Sequence, residues 1–205
     1  AGVFHPGLAV AGNNVVQYVV GTNTCLSTQS IYVGVEAFVS AAVTSHTLAD
    51  MCNTGANISL GPIAINNSGI WSGPGVIGTN FSPAAVGQGN FTLVHSTASY
   101  PSGLCPDQAS VSVSVYSLQT PVLSQVGPFC NSAQPVAIQA VPLGGIFTNQ
   151  NSTNSSAISN QGLFNPQYAS EGPNIIKYTI NSGPCVAYAQ TTITVEKMIS
   201  AALSH

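Results

Sequence analysis

Five cysteines carry the most readily identified chemistry in this sequence: Cys25, Cys52, Cys105, Cys130 and Cys185. Such thiols either form disulfides or stay reduced and buried as small apolar side chains. None of them has the Cys-x-x-Cys spacing of a zinc site, and none clusters in sequence with histidine. We therefore predict disulfides and no structural metal, with buried reduced cysteines as the alternative.

Groups that could perform acid–base catalysis are few. The 205 residues include five acids, four histidines and two basic residues, scattered along the chain. No pattern indicates a Ser/His/Asp arrangement, and the acids are too sparse for the oxygen-rich calcium sites of some adhesin arrays. We predict no catalytic residue, no cofactor and no metal, and hence a protein that is not an enzyme.

Charge and hydropathy exclude two further classes. The formal net charge of −3 offers no basic surface for nucleic-acid phosphates. No run of about 20 apolar residues is present to span a bilayer. We predict neither nucleic-acid binding nor membrane insertion.

An internal repeat determines how the cysteines are placed. Residues 2–36 and 162–196 align without a gap at an offset of 160, and ten of the 35 aligned positions are identical. A middle copy follows the same order of residue types. The three matched series are Phe4, Pro6, Gly12, Tyr18, Cys25 and Val35; Phe81, Pro83, Gly89, His95, Cys105 and Val115; and Phe164, Pro166, Gly172, Tyr178, Cys185 and Val195.

Period-two alternation predicts strands rather than helices. Val111, Val113 and Val115 alternate with serine, Ile193 and Val195 alternate with threonine, and Gly or Pro interrupts every apolar run. Several short strands in each unit predict an all-β protein of tandem immunoglobulin-like antiparallel β-sandwich domains. Trp71 and Phe147 are expected in the cores, and Tyr18 and Tyr178 should bury their rings while the hydroxyl finds one partner.

The repeat predicts four segments. Residues 1–37 are the C-terminal half of an immunoglobulin-like domain, and 38–118 and 119–197 are complete domains. Residues 198–205 begin a further one, because Ile199–His205 resembles Val39–His46. We expect the 205 residues to be a window of a much longer tandem polypeptide. The alternative is a subunit completed by a neighbouring chain.

Each complete predicted domain holds two cysteines. We therefore predict disulfides between Cys52 and Cys105 and between Cys130 and Cys185, each joining strands at one end of its sandwich. Cys25 occupies the later position of such a pair, and we expect it to be unpaired by truncation. Disulfides would place the protein in an oxidising compartment.

The middle copy carries a family resemblance. The stretch GIWSGPGVIGTNFSPAAVGQGNFTLVHS at residues 69–96, followed by Gly-Leu-Cys105 and by VSVSV at 111–115, resembles the immunoglobulin-like repeats of very large secreted surface proteins of Bacteroidota, including gliding-motility adhesins. The resemblance implies an extracellular, cell-surface array used as a stalk or for adhesion. It implies no catalytic residues.

Three functions follow as expectations. The first is a structural and adhesive repeat segment of a bacterial surface adhesin or filament, whose partners are neighbouring repeats, surface glycans or other cell-surface proteins. The second is a self-assembling extracellular fibre completed by strand exchange. The third is a carbohydrate-binding module of a secreted enzyme, which would need an exposed aromatic platform such as Trp71.

Six Asn-x-Ser/Thr sequons occur in the chain. Asn151 and Asn154 are the best candidates for glycosylation, because they lie in an Asn/Ser/Thr-rich insertion that is typical of an exposed loop.

Overall fold

The computed structural model describes residues 2–98, 105–151 and 155–199. Their regular structure consists of β-strands and five single 3-10 turns. Across these residues no helix has the length and apolar character needed to cross a membrane. The 3-10 turns are Pro6–Leu8, Gly61–Ile63, Pro83–Ala85, Ser155–Ala157 and Pro166–Tyr168.

Seventeen strands are described along the chain, and most have only two to four residues. The first segment forms β1 (Gly12–Thr22) and β2 (Cys25–Val35). The middle segment forms β3 (Met51–Cys52), β4 (Ile58–Ser59), β5 (Ile70–Ser72), β6 (Val76–Ile77), β7 (Asn80–Phe81), β8 (Gly89–Thr97) and β9 (Asp107–Tyr116). The last segment forms β10 (Val122–Leu123), β11 (Phe129–Cys130), β12 (Val136–Ala137), β13 (Ala140–Val141), β14 (Ile146–Asn149), β15 (Leu163–Phe164), β16 (Gly172–Ser182) and β17 (Cys185–Glu196).

The order of strands in the last segment is that of an immunoglobulin-like sandwich. One sheet has the order β11-β17-β16-β14, and its last three strands correspond to G, F and C of an immunoglobulin domain. The second layer contains the β12–β15 and β10–β13 pairs, which correspond to B with E and A with B. The pairing of β11 with β17 is parallel, and the other pairs are antiparallel.

The middle segment repeats this topology. Its sheets have the orders β3-β9-β8-β5 and β4-β7-β6, and β3 again runs parallel to the last strand of its segment, β9. The predicted all-β, immunoglobulin-like fold is thus confirmed.

The β1–β2 hairpin has the same register as β16–β17. Eleven pairs run from Gly12↔Val35 to Thr22↔Cys25 in the first hairpin. Eleven run from Gly172↔Val195 to Ser182↔Cys185 in the second. Every pair therefore has its counterpart 160 residues away, so the repeat extends from residue types to backbone pairing.

Alternate residues of β16 and β17 face a core in the last segment, because successive side chains of a strand point to opposite faces. Ile176, Tyr178 and Ile193 lie in this core together with Phe147 of β14 in the same sheet. Ile138 and Phe164 complete the core from the other layer. Phe147 is therefore a core residue, as predicted.

By backbone contacts the chain divides into two compact units. One contains Ala1–Ala49, Ala56–Ser82 and Asn90–Val113, and the other contains Asp50–Gly55, Pro83–Gly89 and Ser114–His205. The predicted division at residues 37, 118 and 197 stays a prediction.

Candidate functional site

The disulfide of this structure joins Cys52 to Cys185. Their sulfurs are 2.05 Å apart, their Cα atoms are 5.1 Å apart, and 133 positions separate them in sequence. The predicted pairing of Cys52 with Cys105 and of Cys130 with Cys185 is therefore wrong. Both cysteines of the observed bond belong to the second compact unit.

Strand direction explains the error. Cys130 pairs with Glu196 at the end of β17, whereas Cys185 begins that strand. At about 3.3 Å per residue the two ends of β17 are about 36 Å apart. A disulfide needs Cα atoms within about 7 Å, so Cys130 is out of reach of Cys185. Likewise Cys52 pairs with Tyr116 at the end of β9, and Cys105 precedes the start of β9.

Close packing surrounds the observed bond. Gly183 has a φ of +54°, and a Cβ there would lie 2.5 Å from Cγ of Tyr116. Only glycine therefore fits against this ring, since no Cβ atom approaches so closely. The hydroxyl of Thr54 donates to the sulfur of Cys52 at 3.3 Å. The turn before β17 is thus seated on the end of β9.

Two Cys-Asn dipeptides, Cys52-Asn53 and Cys130-Asn131, are each hydrogen-bonded to the end of the last strand of their segment. The backbone N–H of Asn53 donates to the carbonyl of Tyr116 at 2.8 Å, and Oδ1 of Asn53 accepts from the N–H of Leu118 at 3.0 Å. The same two bonds recur for the second dipeptide. Asn131 donates to the carbonyl of Glu196 at 2.9 Å and accepts from the N–H of Met198 at 3.2 Å. Cys130 therefore has the same neighbouring backbone hydrogen bonds as Cys52.

Among the described cysteines, Cys25 and Cys130 are exposed and outside the disulfide. Cys25 lies at the tip of the β1–β2 hairpin, at the register position of Cys185. Cys25 is a free thiol in this structure. The prediction that truncation leaves it unpaired stays a prediction.

One face of the β1–β2 hairpin is open. Tyr178 is only 2% exposed, whereas Tyr18, its counterpart, is 70% exposed. The hydroxyl of Tyr178 donates to the carbonyl of Pro142 at 2.6 Å and accepts from the N–H of Gly145 at 2.7 Å. No described residue takes the corresponding place beside Tyr18. The expected burial of Tyr18 is therefore wrong.

An apolar groove of about 550 Å³ lies along this hairpin. Phe4, Val33, Val35 and Phe38 contribute to its lining. Phe164, Ile193 and Val195, the counterparts of the first three, are core residues of the last segment. The groove thus lies where a core would be in a complete sandwich. We refer to the groove and the face around Tyr18 as the open face.

Trp71 is buried rather than displayed. It is 8% exposed, and its ring centroid is 4.9 Å from that of His95. A Cβ at Gly69 would lie 2.2 Å from Nε2 of His95, so glycine makes room for the imidazole. Nδ1 of His95 lies 2.9 Å from the carbonyl of Ala41, and since a carbonyl only accepts, this nitrogen donates. Trp71 is therefore the predicted core aromatic, and His95 is a bonded core side chain.

Asp107 has a clear structural role. The N–H of Ala41 donates to its Oδ2 at 2.8 Å, and this bond lowers the pKa of the carboxyl, against the opposing effect of desolvation. The N–H of Gln108 donates to Oδ1 at 2.9 Å and lowers the pKa further. The carboxylate thereby anchors the segment that precedes β3.

The structure brings no metal-binding group together in residues 2–98, 105–151 and 155–199, where no three His, Cys, Asp or Glu side chains lie close enough to hold an ion. Of the two glycosylation candidates, Asn154 lies outside the described residues. Asn151 donates its amide to the carbonyl of Pro173 at 2.8 Å and accepts from the N–H of Ile175 at 3.1 Å. Its glycosylation stays a prediction.

Sequence reasoning missed the cluster of Cys52, Tyr116, Gly183 and Cys185. Cys185 opens a long strand that ends at Glu196, but no pattern in the sequence shows that Cys130 lies at the far end of that strand. The short strands β3 and β11 carry too few residues to reveal their direction.

Comparison with known proteins adds little. No protein-family model matches the chain, and no curated protein matches it. Among solved structures it is similar to mouse protocadherin-24 EC1-3, at 12% identity and a TM-score of 0.34, over 92% of this chain and 80% of that one. It is also similar to the insect immune protein hemolin, at 12% identity and a TM-score of 0.38, over 88% of this chain. The chain spans 56% of the hemolin structure, whose description concerns homophilic adhesion.

Proposed function

We propose that this chain is a structural and adhesive repeat segment of a large bacterial cell-surface adhesin or filament, located outside the cell. A disulfide fits an oxidising compartment. The resemblance of residues 69–115 to repeats of secreted Bacteroidota surface proteins, including gliding-motility adhesins, supports the same assignment. Its partners would be neighbouring repeats, with surface glycans or other surface proteins as further ligands.

The Cys52–Cys185 bond is the observation that carries this proposal. It connects two predicted domains, 38–118 and 119–197, rather than stabilising either one alone. In the chain-entropy model a loop of 133 residues stabilises the folded state by about 5 kcal/mol. A stalk benefits from this arrangement, because tension applied at the two chain ends bypasses the residues between the sulfurs.

The surface is consistent with this role. Only seven residues carry formal charge, and many large apolar side chains are exposed, including Tyr32, Tyr168 and Tyr188. Such a surface favours contact with other chains over electrostatic steering of charged ligands.

Force spectroscopy on single chains held by their two ends tests the load-bearing role. The oxidised chain should extend only through residues outside the 52–185 loop. Reductant should add about 45 nm of contour length, at about 3.4 Å per residue for 133 residues. A Cys52→Ser variant should show the added length without reductant. Equal lengths in all three samples would contradict a load-bearing disulfide.

Location is tested separately. Antibodies against the chain should label intact cells that express it naturally. Labelling that requires permeabilised cells would contradict an extracellular array.

A second candidate is the self-assembling fibre completed by strand exchange, which the open face favours. Tyr18 and the groove around Phe4 present, on one hairpin, side chains whose counterparts are covered by a second layer. Addition of a neighbouring chain's strands would supply that layer. Sedimentation of the chain across a concentration range tests this candidate, since a strict monomer at high concentration would exclude it. For the carbohydrate-binding alternative, burial of Trp71 removes the aromatic platform on which it depended.

A further inference from the structure

Two exposed cysteines repeat the two partners of the bond that the chain already makes. Cys25 repeats Cys185 and Cys130 repeats Cys52 in sequence position. The Cys52–Cys185 disulfide therefore shows the geometry in which two cysteines at these positions can bond.

One partner of that disulfide, Cys185, lies at a hairpin tip. Thr22↔Cys25 closes β1–β2 as Ser182↔Cys185 closes β16–β17. The turns share their unusual backbone as well, since Asn23 has a φ of +50° and Gly183 a φ of +54°. The two tips therefore carry their cysteines at the same register position, next to a residue of similar φ.

The other partner, Cys52, lies beside the last strand of its segment. Cys52 pairs with Tyr116 and Cys130 pairs with Glu196, both in parallel register. The Asn that follows each cysteine makes the same two hydrogen bonds to the end of that strand. Cys130 thus occupies the position that Cys52 has in the existing disulfide, and the residue is exposed.

One difference between the copies indicates which tip suits which surface. Gly183 lies against the ring of Tyr116, where a Cβ would be 2.5 Å from the ring. Asn23 has a side chain and could not take the place of Gly183 on that ring. The residue beside Cys130 is Glu196, which has a flexible chain and a carboxylate that can accept from the Asn23 amide. The β1–β2 tip therefore complements the Cys130 surface better than it complements the Tyr116 surface.

We propose that the β1–β2 tip of one copy of this chain docks on the Cys130 surface of a second copy, where Cys25 and Cys130 form a disulfide. Each copy carries one tip and one Cys130 surface, so the contact is heterologous and propagates into linear chains of copies. This goes beyond the proposed stalk, which needs no bond between copies.

The bond forms by thiol–disulfide exchange with a small disulfide such as oxidised glutathione. The thiolate of Cys25 attacks one glutathione sulfur, forms a mixed disulfide and releases one glutathione thiolate. The thiolate of Cys130 in the second copy then attacks the Cys25 sulfur and releases the second glutathione. Two protein thiols are oxidised, one glutathione disulfide is reduced, and the two protons pass to the released thiolates.

The test is incubation of the 205-residue chain with a glutathione redox buffer, followed by non-reducing electrophoresis. We expect a ladder of dimers, trimers and larger species that collapses on reduction. Cys25→Ser and Cys130→Ser should each abolish the ladder, whereas an equimolar mixture of the two variants should form dimers only. Cys105→Ser is the matched control and should leave the ladder unchanged. Peptic peptides of the dimer should contain Cys25 linked to Cys130, beside the internal Cys52–Cys185 pair.

Several outcomes would overturn the proposal. A ladder absent from the parent chain would do so, as would a Cys25–Cys25 or Cys130–Cys130 crosslink in the peptide map. Monomers with a Cys25–Cys130 bond would show closure within one chain. A ladder that needs Cys105 would assign the contact elsewhere. Because all variants keep the 52–185 bond, failure of the ladder leaves the force-extension test of the stalk unaffected.

Discussion

A Cβ atom at Gly145 would lie 2.4 Å from Cζ of Tyr178 and 2.5 Å from the carbonyl oxygen of Thr179. The same relationship joins Gly69 to His95, where the distance to Nε2 is 2.2 Å. The glycine that precedes each Ile-aromatic pair, Ile146-Phe147 or Ile70-Trp71, thus makes room for the large polar ring of the neighbouring strand. The rings of Tyr178 and His95 differ in type, but each packs against a glycine that has no Cβ atom to obstruct it.

Substitution of Gly145 by Ala should therefore destabilise the last segment. Overpacking of this kind costs about 1–3 kcal/mol. Gly7 is the matched control, because a Cβ there meets no atom within 4 Å. Urea unfolding of Gly145→Ala and Gly7→Ala measures the difference, and equal midpoints would contradict the packing role of Gly145.

Removal of the hydroxyl should change the free energy of unfolding much more at Tyr178 than at its counterpart Tyr18. Tyr178→Phe leaves the carbonyl of Pro142 and the N–H of Gly145 without their partner, which costs about 1–3 kcal/mol for buried polar groups. Tyr18→Phe removes a hydroxyl from an exposed ring and should change stability by less than about 0.5 kcal/mol. Comparison of the two unfolding free energies tests both statements. A large effect of Tyr18→Phe would mean that a partner covers the open face in solution.

Asp107 should make stability depend on acid pH. Its pKa is lowered in the folded chain, chiefly by the Ala41 N–H, so the folded state favours the carboxylate. The resulting stabilisation is present above the ordinary aspartate pKa of 3.8 and is lost as pH falls through the lower folded value. Asp107→Asn should lower the melting temperature at pH 7, and its deficit against the parent should shrink below pH 3.8. The exposed Glu171→Gln is the control, and a deficit that is constant with pH would refute this role for Asp107.

The packing of Gly183 on Tyr116 can be tested by a pair of changes. Gly183→Asn should destabilise the second compact unit and expose the disulfide to faster reduction, because the new side chain meets the ring. Asn tolerates the positive φ of this position, so the ring is the main obstacle. Addition of Tyr116→Ala should restore much of the protection. A double variant no better protected than Gly183→Asn alone would show that the ring is not the obstacle.

The fold could be predicted because strand alternation and turn residues are local signals. Val111, Val113 and Val115 face a core, as their alternation with serine indicated. The alternation of Ile193 and Val195 with threonine likewise predicted β17, and the register of β1–β2 follows the repeat. Burial of Trp71 also followed, since its counterpart Phe147 indicated a core position.

The disulfide could not be predicted from spacing, because its partners depend on the direction of two-residue strands. Nothing local in Phe129-Cys130 shows that this strand runs parallel to β17 and so places its cysteine opposite Glu196. Only the prediction that residues 1–37 are half of a domain indicates the exposure of Tyr18. Its sequence is that of a buried position, and burial depends on a second layer that the pattern of β1 does not encode.

Mapping the disulfides of the unreduced chain tests the central claim most directly. Digestion with pepsin at acid pH, which suppresses exchange, followed by mass spectrometry should yield a peptide containing Cys52 joined to one containing Cys185. Reduction should release both. Recovery of Cys52 joined to Cys105, or of Cys130 joined to Cys185, would contradict the account, because each domain would then be closed on itself.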